Sequence, residues 1–359
     1  MNKNILISDQ KPQSPKHMPK KPKKPQHILG IESTADDFSV GIATFDGKIL
    51  ANITSTYIPT QGGIHPREAA RHHAETAGET IHNALKEAKT PPSQIQAIAF
   101  SQGPGLGPCL RTGATAARAL ASYLNVPLIG VNHSIAHIEI GKLITGTKDP
   151  LTLYVSGGNT IISAYEDGYY RIFGETLDIA IGNCLDVFAR KAGLGQSPGK
   201  PFGATVEKLA EQGKNLIPLP FTIKGMDLSF SGLLTAATET LHTRKHRLED
   251  ICFSLQEVAF SMLTEVTERA LAHTEKPELL LTGGVAANKR LQTMLQTIAQ
   301  EHNAHFSVVP KEYALDNGAM IAWTGTLAYK NGITTPIDKS TVKLKWRLDQ
   351  VPVPWINGE

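Results

Sequence analysis

Two histidines four residues apart, His133 and His137, are the first candidates for chemistry. On a helix, four residues rise ~6 Å and return to the same face, so both imidazoles reach a single metal ion. Imidazole suits zinc and iron alike, so the spacing leaves the metal open. The glutamate of a His-Glu-x-x-His motif is missing, and with it the general base of a zinc protease. Spacing alone also permits a blander reading, two histidines on a helix surface.

Two glycine pairs come next. In Tyr154-Val155-Ser156-Gly157-Gly158-Asn159-Thr160 the glycines follow an apolar run, and backbone N–H groups there can point into a concavity and cradle phosphate oxygens. Gly283-Gly284-Val285-Ala286-Ala287-Asn288 leads from a buried strand into a helix, where an anion or an adenosine meets the helix N-terminus. Either pair alone is compatible with an ordinary turn. The acidic candidates are Asp36, Asp37, Asp178, Asp186, Glu207 and Asp316. Asp316 stands before an apolar helical segment, so it is either an N-cap or, if the fold carries it to the histidines, a metal ligand.

The elements that must position these groups follow from the patterning. Residues 28–32, 38–44 and 48–55 read as three strands, joined by a polar turn at 33–37 and a tight turn at Asp46-Gly47. A helix is expected over 67–89, a strand over 95–101, a helix over 112–124, a strand over 127–131, and helix again at 133–137. The pattern then restarts, with strands at 151–156, 160–165 and 169–174, helices near 179–191, 248–273 and 289–301, and a buried strand at 278–282. A three-stranded hairpin thus opens each half. The expected class is α/β, two lobes at 27–150 and 151–335 with a nucleotide in the cleft between them, followed by an extension at 336–359. Neither Gly-x-Gly-x-x-Gly between strand and helix nor a Walker A motif is present, so a dinucleotide-binding domain and a P-loop fit poorly.

Bulk properties agree with a soluble globular protein. The chain has 359 residues, 41 % of them hydrophobic, and no apolar run long enough to span a bilayer. A secretory signal and a membrane association are not expected, and three dispersed cysteines read as reduced thiols of a cytoplasmic protein. The net charge of +3 permits nucleic-acid binding without arguing for it. Residues 1–26 are Lys- and Pro-rich with little to bury, so an extended or disordered tail is expected, either solubilising or an electrostatic arm for RNA phosphates.

Taken together, the motifs resemble one family over roughly residues 28–355: the tRNA N6-adenosine threonylcarbamoyltransferases, once described as O-sialoglycoprotein endopeptidases. The resemblance rests on Gly30-Ile31-Glu32-Ser33, the 62–73 segment with His65-Pro66-Arg67-Glu68 and Arg71-His72-His73, and the glycine-rich run 102–107. It continues through Asn132-His133-x-x-x-His137-Ile138-Glu139, residues 154–160, Asp227 to Leu233, 283–288, 316–320 and Lys345-Trp346-Arg347-Leu348-Asp349. The His-Pro-Arg-Glu segment, Tyr154 and residues 231–234 resemble the archaeal and eukaryotic branch, whereas Asp36-Asp37 looks bacterial.

The resemblance implies the two-lobed fold of actin, Hsp70 and the sugar kinases, with duplicated ribonuclease-H-like cores. It implies iron or zinc held by His133, His137 and Asp316, with Tyr154 as a further ligand or phosphate neighbour. Nucleotide contacts would come from Tyr154, Ser156, Gly157, Gly158, Asn159, Asp186, Gly203, Glu207, Gly284 and Asn288. Asp36 is the candidate for a base or a water-positioning group, or else a turn-forming residue. The family's Pro-Gly-Gly-Pro-x-x-Glu segment appears here as Pro201-Phe202-Gly203-Ala204-Thr205-Val206-Glu207, after an apparent insertion at 196–199. The implied reaction moves a threonylcarbamoyl group from L-threonylcarbamoyl-AMP to N6 of the adenosine beside the anticodon in tRNAs reading ANN codons. Its setting is a KEOPS-type assembly with a small kinase, a dimerising subunit and a kinase-regulating subunit. A small-molecule kinase, a chaperone-like ATPase and a nucleotide-gated structural subunit are the rivals on the same fold.

Overall fold

The computed structural model describes residues 26–59, 62–194 and 202–356. The basic tail, apart from Gln26, and the insertion at 196–199 lie outside the described residues.

In the first half, β1 (His27–Glu32), β2 (Asp37–Thr44) and β3 (Ile49–Thr56) form an antiparallel meander. After α1 (Pro66–Glu87), β4 (Ile95–Gly103) pairs parallel to β1; after α2 (Gly107–Leu124), β5 (Leu128–Asn132) pairs parallel to β4 and leads directly into α3 (His133–Thr145). The sheet order is β3-β2-β1-β4-β5. Every residue of β1 is buried, as expected of a central strand covered on both faces.

The second half repeats the wiring. The antiparallel strands β6 (Leu151–Val155), β7 (Thr160–Glu166) and β8 (Tyr169–Glu175) are followed by α4 (Ile181–Lys191), α5 (Phe202–Ala210), the short hairpin β9 (Ile223–Lys224) and β10 (Asp227–Leu228), α6 (Ser231–Thr243) and α7 (Leu248–Thr274). Then come β11 (Glu278–Thr282), α8 (Lys289–Glu301), β12 (His305–Val308), α9 (Lys311–Ala314) and α10 (Gly318–Lys330). β11 lies parallel between β6 and β12, giving the order β12-β11-β6-β7-β8. Two sheets with the same order of meander and parallel strands are the duplicated cores of the expected two-lobed α/β fold. Strand β12, helices α5 and α6, and the start of α2 at Gly107 were not legible in the patterning. The run from Gly103 to Pro108 resembles a loop, yet Pro108 sits at the first turn of α2, where its missing N–H costs nothing.

Two local devices position the histidines and Asp316. Helix α3 is buried over its first nine residues, polar and apolar alike, rather than along one apolar stripe. Asn132 caps it, its side-chain oxygen accepting from the backbone N–H groups of Ser134 and Ile135 at 3.0 and 3.2 Å. Helix α10 follows the second half in sequence but packs against the first sheet, backbone to backbone. A Cβ placed on Gly30 would stand 2.1 Å from the Ala322 nitrogen, and one on Gly41 2.2 Å from the Ala319 nitrogen. Glycine is required at this crossing because nothing larger fits. The open amides at the start of α10 are met from the first sheet, Gly318 N–H by Ser39 Oγ at 2.8 Å and Ala319 N–H by Asn52 Oδ1 at 3.2 Å.

The chain then runs back along the first lobe, where the Gln102 side chain donates to the carbonyls of Lys339 and Thr341. It crosses onto the second, where Arg347 pairs with Glu175, and the Trp355 indole then donates to Glu139 of α3.

Candidate metal centre and nucleotide cleft

The end of β5 and the first turn of α3 bring His133 and His137 inside the protein, 4 % and 0 % exposed, so they are not helix-surface histidines. The turn before α10 brings Asp316 to them. Its Oδ1 lies 3.1 Å from His137 Nε2 and 3.6 Å from His133 Nε2. The N-cap role open to Asp316 is taken by Asn317, whose Oδ1 accepts from Met320 N–H at 2.9 Å. Asp316 is thereby left to the histidines. Tyr154, at the end of β6, closes the group with its hydroxyl 3.2 Å from His133 Nε2.

The donor set fits a metal ion. One ligand atom from each of His133, His137 and Asp316 lies within 4.8 Å of the others. Bonds of ~2.0–2.2 Å in a tetrahedral site set ligand atoms roughly 3.4 Å apart, close to the spacings found here. The remaining nitrogen of His133 faces Glu32 Oε2 at 3.1 Å, the carboxylate–imidazole support usual for metal-bound histidines. Glu32 itself is oriented by Thr34 N–H at 2.6 Å. Burial opposes a charge on His133, but Glu32 and Asp316 outweigh it and raise its pKa. Burial lowers that of His137. Burial would raise Asp316, yet His133 and His137 hold it well below the usual carboxylate range. Imidazole and carboxylate donors are compatible with zinc and with iron.

The group forms part of the floor of a cleft of about 560 Å³ between the two lobes. One wall is the β6–β7 hairpin tip, where Gly158 and Asn159 N–H bond to Ser156 Oγ and the Asn159 amide reaches the Tyr154 hydroxyl. Cβ atoms on Gly157 and Gly158 would meet nothing within 4 Å, so the tip leaves open space above it. Deeper in the second lobe, Asp186 Oδ1 accepts from Gly203 N–H at 2.9 Å and Glu207 Oε1 from Lys289 N–H at 2.8 Å. Burial raises both acids above their ordinary values. Gly284 and Asn288 line the cleft beside them. Asn288 is committed at both ends of its amide: the oxygen caps α8 and the nitrogen donates to Gln256.

Asp36 and Asp37 enter from the β1–β2 turn. Burial, then repulsion from Asp316, pushes Asp36 up to about 6. Burial, then the charge of Asp36, pushes Asp37 up to about 8. The structure gathers the predicted residues at one cleft, with His137 and Tyr154 buried beneath it, except Asp178, which instead accepts from the backbone N–H groups of Phe230 and Ser231. Sequence reasoning gave no role to Glu32, Thr34 or His73. His73, buried on α1, faces the Ala35 carbonyl with Nε2 at 3.0 Å and so holds the turn that carries Asp36. The only sequence signals were Glu32 beside a glycine-bearing strand and the paired histidines of the 62–73 segment.

A family profile described as TsaD, tRNA N6-adenosine threonylcarbamoyltransferase, matches residues 48–323. The chain is 52 % identical over 328 residues to the tRNA N6-adenosine threonylcarbamoyltransferase of Thermofilum pendens, covering 91 % of this chain and 96 % of that one. The chain belongs to this family. The similarly named protein of Thermococcus sibiricus is 55 % identical over 327 residues, covering 91 % of this chain and 99 % of that one. A probable bifunctional tRNA threonylcarbamoyladenosine biosynthesis protein of Methanocaldococcus jannaschii is 57 % identical over 91 % of this chain, which spans 60 % of that longer protein. Among solved structures, T. kodakarensis HypF aligns at a TM-score of 0.61 with 16 % identity, over 89 % of this chain and 49 % of that one. Component A of the Acidaminococcus fermentans (R)-2-hydroxyglutaryl-CoA dehydratase aligns at 0.52 with 14 % identity, over 85 % and 98 %. Those two likenesses speak to the fold. Membership of the threonylcarbamoyltransferase family speaks to the class of reaction, tRNA threonylcarbamoyladenosine biosynthesis. Among the described residues no helix is long and apolar enough to cross a membrane.

Proposed function

We propose that the chain transfers the threonylcarbamoyl group of L-threonylcarbamoyl-AMP to N6 of the adenosine beside the anticodon in tRNAs reading ANN codons. The observation that carries this reading is the meeting of His133, His137 and Asp316, from segments 179 residues apart, at the floor of a cleft with open glycine tips. The hairpin tip at 156–159 and the turn at Gly284 cradle the AMP phosphate, while Asp186, Gly203, Glu207 and Asn288 surround its nucleoside. His133, His137, Asp316 and the Tyr154 hydroxyl would hold one zinc or iron ion, which when bound supplies Lewis-acid charge and an anchor for the threonyl carboxylate.

The acceptor amine is a weak nucleophile, because its lone pair is delocalised into the purine. The protein must position it and take its proton. As the N6–C bond forms, the bond from the carbamoyl carbon to the phosphate oxygen breaks, AMP departs, and the N6 proton passes to Asp36. A carboxylate raised to about 6 is ionised at neutral pH yet basic enough to help. The chain works in the cytoplasm, supported by its three buried free cysteines, as the catalytic subunit of a KEOPS-type assembly.

The test supplies the adenylate, tRNA and the companion subunits, then analyses the nucleosides. The threonylcarbamoyl product should appear with the intact chain and vanish with His133→Ala while the fold persists. Full activity of that variant would remove the metal group from the mechanism, and absence of product with the intact chain would reject the function.

A further inference from the structure

At Leu315 the cleft adjoins a second chamber that the transfer chemistry leaves unused. This cavity of about 250 Å³ shares Gly284, Ala287 and Leu315 with the main cleft. It lies between the loop that leaves β11 and the segment that follows β12. These are the carboxyl ends of adjacent parallel strands, where open α/β sheets hold ligands. Its lining is apolar at Val308, Val309 and Ala314 and cationic at Lys289 and Lys311. The Lys289 ammonium donates to the Gln292 side chain at 3.1 Å. Among the described residues, neither lysine has a carboxylate within salt-bridge distance of its ammonium, and Glu312, next in the chain, is not part of the lining.

An apolar surface beside two lysines, of which Lys289 also lies in the field of Glu207, suits a flat aromatic ring that carries a phosphate. The ring covers the hydrocarbon, and the phosphate meets the charges. The donor's AMP already fills the main cleft in the proposed function, and its transferable group must lie by Asp316 on the cleft side of Leu315. An RNA strand that inserts one adenosine into the cleft brings the adjoining nucleotide along with it. We propose that this chamber receives the nucleotide next to the target adenosine, its base against Val308, Val309 and Ala314 and its phosphate between Lys289 and Lys311. The inference rests on the transferase reading above and deepens it, by naming where the RNA substrate is held outside the reaction centre.

The test measures binding of an anticodon stem-loop to the full chain together with its companion subunits between about 50 and about 200 mM salt, alongside binding of AMP. Lys311→Glu should weaken stem-loop binding about tenfold and reduce the salt slope by ~0.7, the value for one contact to a single strand. Lys311→Arg should restore both, and Lys245→Glu, the same charge change on the exposed loop between α6 and α7 outside the chamber lining, should do much less. AMP affinity should not move. A photo-crosslink from a thiouridine beside the target adenosine should fall within residues 308–315. Unchanged RNA affinity in Lys311→Glu, an equal effect from Lys245→Glu, or a parallel loss of AMP binding would each overturn the chamber assignment while leaving the transferase reading intact. If the unaltered chain binds no stem-loop even with the companion subunits present, the chamber and the transferase reading fall together.

Discussion

Gly41→Ala is the substitution that most directly tests how the metal group is assembled. The backbone of Gly41 is extended, so alanine is conformationally acceptable there and only space is at issue. Its methyl group would stand 2.2 Å from the Ala319 nitrogen and 2.3 Å from the Gly318 carbonyl carbon, both backbone atoms. Ordinary contact begins near 3.4 Å, so α10 must retreat by about 1.2 Å. Overpacking of this kind costs about 1–3 kcal/mol. Gly318 is two residues beyond Asp316, so the carboxylate moves with the helix. A shift of that size exceeds the ~0.2 Å tolerance of a metal–ligand bond. Metal affinity should therefore fall by roughly 10–100-fold or more, with the histidines untouched. Competition with a chelator of known zinc affinity reads the second effect, and the urea midpoint reads the first. Lowered stability with full metal affinity would refute the link between α10 and Asp316. If stability is unchanged as well, the packing argument fails too.

Three further outcomes are expected. Asp36→Asn should lower the transfer rate about 10²–10⁴-fold and abolish the rise in rate as pH passes through about 6, with little change in AMP affinity; a preserved pH profile would assign the base elsewhere. Asp37 has a folded pKa of about 8, above its ordinary value, so between pH 4 and 8 the folded state holds a proton that the unfolded chain has lost, and stability falls as pH rises through that window. Asp37→Asn should flatten that decline in urea midpoints measured from pH 5 to 8, and an unaltered slope would contradict the burial of its charge. Glu32→Gln keeps an acceptor for Thr34 N–H but loses the negative charge behind His133, and should weaken metal binding roughly 10–100-fold in the same chelator competition.

What the sequence disclosed and what it hid divide along the distance over which each feature is determined. The two meanders were legible because Asp46-Gly47, Gly157-Gly158 and Asp167-Gly168 punctuate alternating strands locally. The histidine pair was legible because its geometry is that of one helix turn. The contribution of Asp316 was legible only through the family resemblance, since its placement depends on Asn317 taking the cap and on glycines of β1 and β2 admitting α10. Glu32 and His73 act through one contact each across the fold, at His133 and at the Ala35 carbonyl, and neither leaves a periodic trace. Asn288 was read as a nucleotide contact, and its second task, capping α8, emerges only in the structure.

The crossing of α10 also constrains how this protein is made. Ile28, Ala97 and Ala99 of the first sheet are covered by Met320 and Ile321 of a helix that ends at Lys330. On the ribosome, the hydrophobic face of the opening lobe therefore stays uncovered until the chain has been made as far as Lys330. A fragment cut at the lobe junction should emerge with that face bare and aggregate, even though every strand of its sheet is present.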